Sequence, residues 1–263
     1  MKLSKIILAA IVLGLVSPLA ALADNAKASD AAHLSKGLQF AAKNRADQAV
    51  AEFDLCKSFA SLSDEELLSV LAAYKESDDL VRSLPIADLL VERQKKAVPT
   101  ASNKARARAL ASRAACYSSL SRYAEAARDY EQASMLGDTK AALWLGEAGE
   151  HYRRCKKFDK ALACFDRCIA KAPNRFFPNL HRARCLIDQS RWAEAIPSFT
   201  KTIAICVEAR KKTPDIWTAV YVEAYRGLAN CYAKLGQLDK EKADRKELAA
   251  LNNVWNDSLF GGQ

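Results

Sequence analysis

Residue patterns that mark common enzymes are missing from this sequence of 263 residues. Only three histidines are present, His33, His151 and His181, and none lies in the paired spacing of a metalloprotease helix. No serine occupies a nucleophile-elbow motif, and no glycine-rich loop has the spacing that cradles phosphate. Because an activity must be argued from a site, we expect no catalysis by this chain, no catalytic residue, no bound metal and no cofactor.

Strand patterns and long apolar runs are scarce as well. No segment alternates apolar and polar residues in the manner of a half-buried strand, which favours an all-α protein. After residue 23, no apolar stretch reaches the roughly 20 residues that a transmembrane helix needs. We therefore expect the mature chain to have no membrane span.

The first 23 residues differ in kind from the rest of the chain. Two lysines precede a short apolar run, Ile6 to Val16, and small residues come just before Asp24. A charged start, a short apolar core and a small-residue site indicate a secretory signal peptide over residues 1–23, cleaved between Ala23 and Asp24. We expect an exported protein, either periplasmic or secreted. Retention as a membrane anchor is the open alternative, although a Ser-Pro pair interrupts the apolar run.

The chain is moderately basic, with a formal net charge of +9 at pH 7. Removal of the signal segment would take away its two lysines and leave +7. Basic and acidic residues alternate along most of the chain, as they do on solvated helix faces, and form no basic stripe with interleaved aromatics. This distribution argues against a nucleic-acid partner and permits an acidic protein partner.

Aromatic or leucine side chains recur about every 34 residues, and small residues recur in fixed phase with them. Three stretches align clearly: Arg122–Ala126, Lys157–Ala161 and Arg191–Ala195. An aromatic follows each stretch four residues later, at Tyr130, Phe165 and Phe199. A fixed period in this range predicts stacked helix-turn-helix units, in which small residues permit close approach and aromatics fill the space between neighbouring pairs.

The pattern resembles the tetratricopeptide-repeat family over nearly all of the chain after residue 23. The resemblance implies an all-α fold, a right-handed α-solenoid of about six repeats. In the frame of that family the repeats are 30–63, 64–97, 107–140, 142–175, 176–209 and 222–255. The first-helix aromatic position holds Phe40, Tyr74, Tyr117, Tyr152, Leu186 and Tyr232. The second-helix aromatic position holds Phe53, Ala87, Tyr130, Phe165, Phe199 and Arg245.

Two repeats depart from the pattern. Ala87 marks the second repeat as degenerate, and Arg245 marks the last one, as expected for a capping repeat whose outer face has no neighbour. Pro99 interrupts the phase after the second repeat, and Pro214 is expected to begin a long helix that ends at Leu235. The predicted segments are a polar lead at 24–29, two repeats at 30–97, a linker at 98–106, three repeats at 107–209, and an extended helix, degenerate capping repeat and tail at 210–263.

All eight cysteines follow residue 23, and an even number in an exported protein favours disulfides. In the repeat frame Cys164 and Cys185 lie at similar heights on neighbouring antiparallel helices, so this pair is the disulfide candidate. Buried free thiols are the alternative, because cysteine is small and apolar. A zinc site or thiol-redox catalysis is not favoured, since the sequence has no C-x-x-C motif.

In the family that the sequence resembles, the first helices line a concave groove that holds the ligand. At the matching positions, repeat one carries small or apolar residues such as Ser35, whereas repeats four to six carry most of the charge. The resemblance therefore implies a partner-binding groove at Arg153, Arg154, Phe177, His181, Arg184, Arg226 and Asn230. The arginines can offer forked donors to carboxylates or phosphates, and Phe177 and Leu180 are expected to add apolar contact.

The predicted function is an exported protein–protein interaction scaffold without catalysis of its own. It would bind a protein or peptide partner, acidic or extended, in the concave groove. A cysteine-dependent thiol-redox protein or enzyme of the cell envelope is the alternative, and an assembly component that stacks through its open ends is a third hypothesis. The residues with which some relatives clamp C-terminal carboxylates are missing here, so the sequence does not indicate a chaperone-tail role.

Overall fold

The structure is a computed structural model that describes residues 18–97, 102–137, 139–210 and 218–260. Within these ranges it describes the side chains from residue 28 to residue 250, except those of residues 210 and 218. All regular secondary structure in these ranges is helical. The helices are α1 Pro18–Ala42, α2 Ala46–Phe53, α3 Asp64–Glu76, α4 Leu80–Lys96, α5 Asn103–Ser119, α6 Tyr123–Met135, α7 Ala141–Arg154, α8 Phe158–Lys171, α9 Phe176–Asp188, α10 Trp192–Arg210, α11 Thr218–Lys234 and α12 Leu238–Phe260.

The helices divide into two compact units, Met1–Ala101 and Ser102–Gln263. The first unit holds α1 to α4 and the second holds α5 to α12. The division falls in the segment predicted as a linker, 98–106, but α5 already begins at Asn103. The helix can begin at Asn103 because Ser102 caps it: the Ser102 hydroxyl accepts a 3.1 Å hydrogen bond from the backbone N–H of Ala105.

Two segments predicted as a lead and a tail belong to helices. The polar lead at 24–29 belongs to α1, because this run has no proline or glycine to stop a helix. The tail is likewise helical as far as Phe260. The extended helix is seen from Thr218 to Lys234, and its expected start at Pro214 lies outside the described residues. Residues 1–17 of the predicted signal peptide also lie outside them.

Consecutive helices pair in the order that the repeat frame predicts, and every pair has the same turn. The turn has three residues, and its middle residue adopts a left-handed conformation with φ between 54° and 70°. These middle residues are Asn44, Asp78, Ser121, Lys156, Ser190 and Gly236. The next backbone N–H then donates a 2.8–3.0 Å hydrogen bond to the carbonyl of the first-helix aromatic or leucine position. This is the Schellman arrangement, which satisfies a carbonyl at the end of each first helix.

The core of each unit is built from the aromatics of the second helices. In the first unit Phe53 is buried against Gly37, and its ring centroid lies 6.2 Å from that of Tyr74. In the second unit Phe165 and Phe199 are the centres of successive apolar clusters. The predicted all-α repeat fold is therefore confirmed, with the second-helix aromatics Phe53, Phe165 and Phe199 buried as the frame requires.

Candidate functional site

Three of the predicted groove residues converge on one carboxylate, that of Glu150 on α7. Arg153 donates from Nε and Nη2 at 2.9 and 2.8 Å, and Arg154 donates from Nε at 3.1 Å. His181 of α9 places Nδ1 2.9 Å from Glu150 Oε2. Burial alone would raise the pKa of Glu150, but hydrogen bonds from His181 and Arg153 hold it far below its ordinary value. We call these four residues the Glu150 cluster.

The arginines of the Glu150 cluster have further partners within the chain. Arg153 Nη1 lies 2.5 Å from Asp188 Oδ2 at the end of α9. The guanidinium of Arg154 lies over the ring of Tyr123, 5.2 Å from its centroid. Because these donors are already used, the cluster joins α7 to α9 and leaves little capacity for an external carboxylate. The structure thus brings Arg153, Arg154 and His181 together, but around an acid of the chain itself.

Glu147 lies one helical turn before Glu150, so the two could form a carboxylate pair. Burial, followed by the nearby charge of Glu150, raises the pKa of Glu147, although His181 acts in the opposite direction. The pKa values of the two carboxyl groups are therefore displaced in opposite directions. Glu150 is saturated by hydrogen bonds, however, so it has no free oxygen lone pair with which to take up a proton from a substrate.

The remaining charged residues of the predicted groove line a cavity of about 680 Å³ within the second unit. Arg184, Arg226 and Asn230 all border it. Arg184 Nε donates a 2.5 Å hydrogen bond to Glu223, which faces it from α11. Within the part of the chain that the structure describes, Arg226 has no ion-pair partner. Arg226 and Asn230 are both exposed, one helical turn apart, so their donors face solvent.

Arg245 also lines this cavity, and sequence reasoning did not assign it to the site. It lies on α12, a second helix, whereas the family resemblance implied that only first helices line the groove. A signal was present in the sequence, because Arg245 stands where other repeats carry an aromatic. Its Nε donates a 2.8 Å hydrogen bond to Glu241 one turn earlier.

The apolar part of the predicted groove is only partly exposed. Phe177 is 55 % exposed, and its ring contacts Phe176 at 4.2 Å and His181 at 6.0 Å between centroids. Leu143, at the same repeat position on α7, is 42 % exposed. Leu180 is only 1 % exposed and belongs to the core cluster around Phe199, so its expected contact with a ligand is wrong.

The first unit contains another cavity, of about 490 Å³, which has fewer charged lining residues. It is lined by residues that the resemblance placed in the groove of repeat one, including Leu34, Ser35 and Leu38. Glu66 is the one charged residue among those that line it. Its carboxylate accepts a 2.8 Å hydrogen bond from the backbone N–H of Ser63 as part of a helix cap. This cavity therefore offers few groups for specific recognition.

The predicted Cys164–Cys185 disulfide does not form in the structure, where both residues are free thiols in one core cluster. Burial is the first cause that raises the pKa of Cys164 to about 12 and that of Cys185 to about 11. These thiols fill space between helices as small apolar groups. The other free cysteines are Cys56, Cys116, Cys155, Cys168, Cys206 and Cys231.

A thiol-redox enzyme needs an accessible thiolate, which a lowered thiol pKa provides. Burial instead raises the pKa of Cys56, Cys206 and Cys231 to about 11. These values lend the thiol-redox alternative no support.

Among the described residues, no group of three or more histidine, cysteine or acidic side chains could hold a metal ion. No helix in the described ranges is both long and apolar enough to cross a membrane.

Comparison with known proteins bears on the fold of this chain. No protein-family profile matches the chain, and no curated protein matches its sequence. Solved structures do match, among them BtubC (BKLC) from P. vanneervenii, with 13 % identity, a TM-score of 0.62, and coverage of 86 % of this chain and 91 % of that one. MamA matches with 14 % identity and a TM-score of 0.60, over 74 % of this chain and 93 % of its own.

YrrB, described as a TPR protein with an unusual peptide-binding site, matches with 16 % identity and a TM-score of 0.54. The alignment covers 72 % of this chain and 86 % of YrrB. The chain has the tetratricopeptide-repeat fold. This right-handed α-solenoid is the architecture that the 34-residue pattern predicted. At these identities the likeness concerns the fold, and the tetratricopeptide groove of this chain must be interpreted from its own residues.

Proposed function

We propose that this tetratricopeptide-repeat chain is a protein–protein interaction scaffold that binds a protein or peptide partner in the groove of its second unit. The observation that carries the proposal is the cavity bordered by Arg184, Arg226 and Asn230. Three residues from the predicted first-helix positions line one open cavity there, and the guanidinium of Arg226 is left without an acidic partner in the described chain. An unpaired, exposed guanidinium is a ready donor to a carboxylate of a partner.

An acidic or extended peptide fits this cavity best, for electrostatic reasons. Its lining has three arginines and a single glutamate, so an approaching anion is attracted. Phe177 and Leu143 offer exposed apolar surface on neighbouring first helices of the same unit. The description of YrrB as a peptide-binding protein of this fold supports a peptide as the kind of ligand, though not its sequence. We infer that catalysis is not part of the role.

Export is part of the proposal. The lysines, short apolar run and small-residue site of residues 1–23 support cleavage after Ala23. Mass spectrometry of the N-terminal peptide from fractionated source cells tests this. A mature chain that begins at Asp24 is the expected result, and an intact N-terminus in the cytoplasmic fraction would contradict it.

Partner binding is tested by quantitative co-purification from source cells with matched charge variants. Arg226→Glu reverses the unpaired charge in the cavity of the second unit. Ser35→Glu places one glutamate in the cavity of the first unit and is the control, since Ser35 is exposed. We expect Arg226→Glu to lose the partner that the native chain and Ser35→Glu retain. If Ser35→Glu releases the partner and Arg226→Glu keeps it, the groove is wrongly placed.

A further inference from the structure

The last helix, α12, departs from the repeat pattern at a position that faces the cavity of the second unit. In three of the other repeats this position holds a phenylalanine, Phe53, Phe165 or Phe199, that is at most 2 % exposed. In α12 it holds Arg245, whose side chain is 62 % exposed and lines the cavity. At this repeat position α12 therefore has a charged, accessible side chain at the border of the proposed groove, where other second helices have a core-filling ring.

The charges around the cavity leave one guanidinium in excess. Arg184 is compensated by Glu223, and Arg245 by Glu241 at 2.8 Å. Arg226 remains without an acidic partner among the described side chains. A single excess positive charge is neutralised by one carboxylate, which a guanidinium can bind through two parallel hydrogen bonds.

We propose that this cavity is an anion subsite for one carboxylate of an acidic peptide side chain, held by Arg226 of α11 and Arg245 of α12. The inference rests on the proposed function and deepens it, because it names the bound group and makes the degenerate helix part of the site. Asn230, one turn after Arg226, adds a neutral amide donor at the border. Ile187 and Leu248 supply apolar lining for the methylene groups of a glutamate.

Arg245 can serve a ligand more readily than the arginines of the Glu150 cluster. Its partner Glu241 lies on the same helix, and an i,i+4 pair whose arginine is 62 % exposed is weak and easily exchanged. Arg153, by contrast, is held by Glu150 and Asp188 together and is 21 % exposed. Anion recognition therefore belongs to the α11–α12 side of the groove, and the Glu150 cluster, whose donors are already used within the chain, is not part of the subsite.

The test uses the full-length chain and a fluorescein-labelled octaglutamate peptide with an amidated C-terminus. Its dissociation constant is measured by fluorescence anisotropy at low ionic strength, where such contacts are strongest. We expect Arg226→Ala and Arg245→Ala each to weaken binding about tenfold, the loss typical of one charge-assisted hydrogen-bonding group. Lys246→Ala is the matched control, since Lys246 is the exposed neighbour of Arg245 and does not line the cavity. It should stay within about twofold of the native value.

Arg226→Lys keeps the charge but removes the planar fork, so intermediate binding is expected if the carboxylate is held by two bonds. Unchanged binding by Arg245→Ala, with a loss in Arg226→Ala, would remove α12 from the site and overturn the inference while leaving the proposed function intact. Failure of the native chain to bind octaglutamate would also overturn the inference, and the co-purification experiment would then decide the proposed function separately.

A phosphate group offers the same anionic chemistry and is separated by two further arms. Inorganic phosphate is used as a competitor, and a peptide with one central phosphoserine replaces octaglutamate. The carboxylate assignment predicts that phosphate at millimolar concentration displaces little octaglutamate and that the phosphoserine adds no affinity. Tighter binding of the phosphoserine peptide, lost in Arg226→Ala, would assign the subsite to phosphate and contradict the carboxylate.

Discussion

At the scale of single residues, the Glu150 cluster shows that donors predicted to bind a partner can instead be bound by an acidic residue of the chain itself. Four nitrogen atoms from three residues lie within 3.1 Å of the two Glu150 oxygens. The repeat frame places Arg153, Arg154 and His181 on the groove side, but it does not say which acid each would find. The pairs of Arg153 and Arg154 with Glu150 follow from their i,i+3 and i,i+4 spacing on α7. The contact of His181 with Glu150 depends instead on the distance between α7 and α9 and on side-chain rotamers, which no local pattern in the sequence encodes.

Removing the central carboxylate should destabilise the fold. Glu150→Ala leaves the partly buried Arg153 and His181 and the exposed Arg154 without their common acceptor, so we expect a loss of about 2 kcal/mol in the free energy of unfolding. Glu125→Ala is the control, because Glu125 forms a comparable 3.0 Å ion pair with Arg122 at the surface. That pair should contribute less than about 1 kcal/mol. Urea denaturation measures both, and equal losses would show that the cluster has no special structural role.

His151 provides a second test at this scale. It is 4 % exposed and stacks between Tyr123 and Tyr130, with centroid distances of 5.8 and 5.7 Å. Burial, followed by the charge of Arg154, lowers the pKa of His151, while Glu150 raises it less. The unfolded chain, with a histidine pKa of about 6.5, therefore takes up the proton first as the pH falls.

Protonation of His151 should thus favour unfolding below about pH 6.5, and the stability that its neutral form contributes is lost with further acidification. His151→Phe keeps an aromatic ring between the two tyrosines and cannot titrate. We expect the native chain to lose more stability than His151→Phe between about pH 7 and about pH 5. Guanidinium denaturation at both pH values checks this, and parallel losses in the two proteins would contradict it.

At the scale of helices, the pairing of α7 with α8 depends on one small residue. A Cβ added at Gly149 would lie 2.5 Å from Cε1 of Phe165, a ring that is fully buried. The same addition at Gly146, one turn earlier on α7, would meet only Cys168 Sγ at 3.8 Å. The recurrence of small and aromatic positions in fixed phase predicts contacts of this kind, because two close-packed helices require them.

The two glycines of α7 should therefore respond in opposite directions to alanine. Gly149→Ala is expected to destabilise the protein by about 1–3 kcal/mol, because Phe165 has no free space into which to move. Gly146→Ala should stabilise it by about 0.5–1 kcal/mol, since alanine favours a helix and its methyl group meets an ordinary contact. Thermal melting followed by circular dichroism measures both changes, and a shift of the same sign in the two variants would refute this account of the helix packing.

The turns between paired helices were not foreseen from the sequence. Five of the six left-handed positions hold Asn, Asp, Ser or Lys instead of glycine, so the usual residue signal is absent except at Gly236.

Helix ends were likewise less predictable than helix centres. Ser102 caps the start of α5 inside the expected linker, and the lead before residue 30 is part of α1, because local capping and alanine content decide such ends.

At the scale of the whole molecule, the 490 Å³ cavity of the first unit is lined by one charged residue, whereas the 680 Å³ cavity of the second unit is lined by four. The repeat period predicts the all-α solenoid and the buried aromatics, since both follow from stacking similar units. The lining of the cavity in the second unit could be predicted only in part. Arg184, Arg226 and Asn230 follow from repeat positions, whereas Arg245 enters from a helix that the family pattern assigns to the outer layer.

The central claim is that a partner binds on the first helices of the second unit, together with α12. Hydrogen–deuterium exchange of the full-length chain, measured with and without its co-purified partner, tests this most directly. We predict that added protection concentrates in α9, α11 and α12, while α1 and α3 of the first unit exchange unchanged. Protection confined to α1 and α3, around Ser35 and Leu38, would contradict the account.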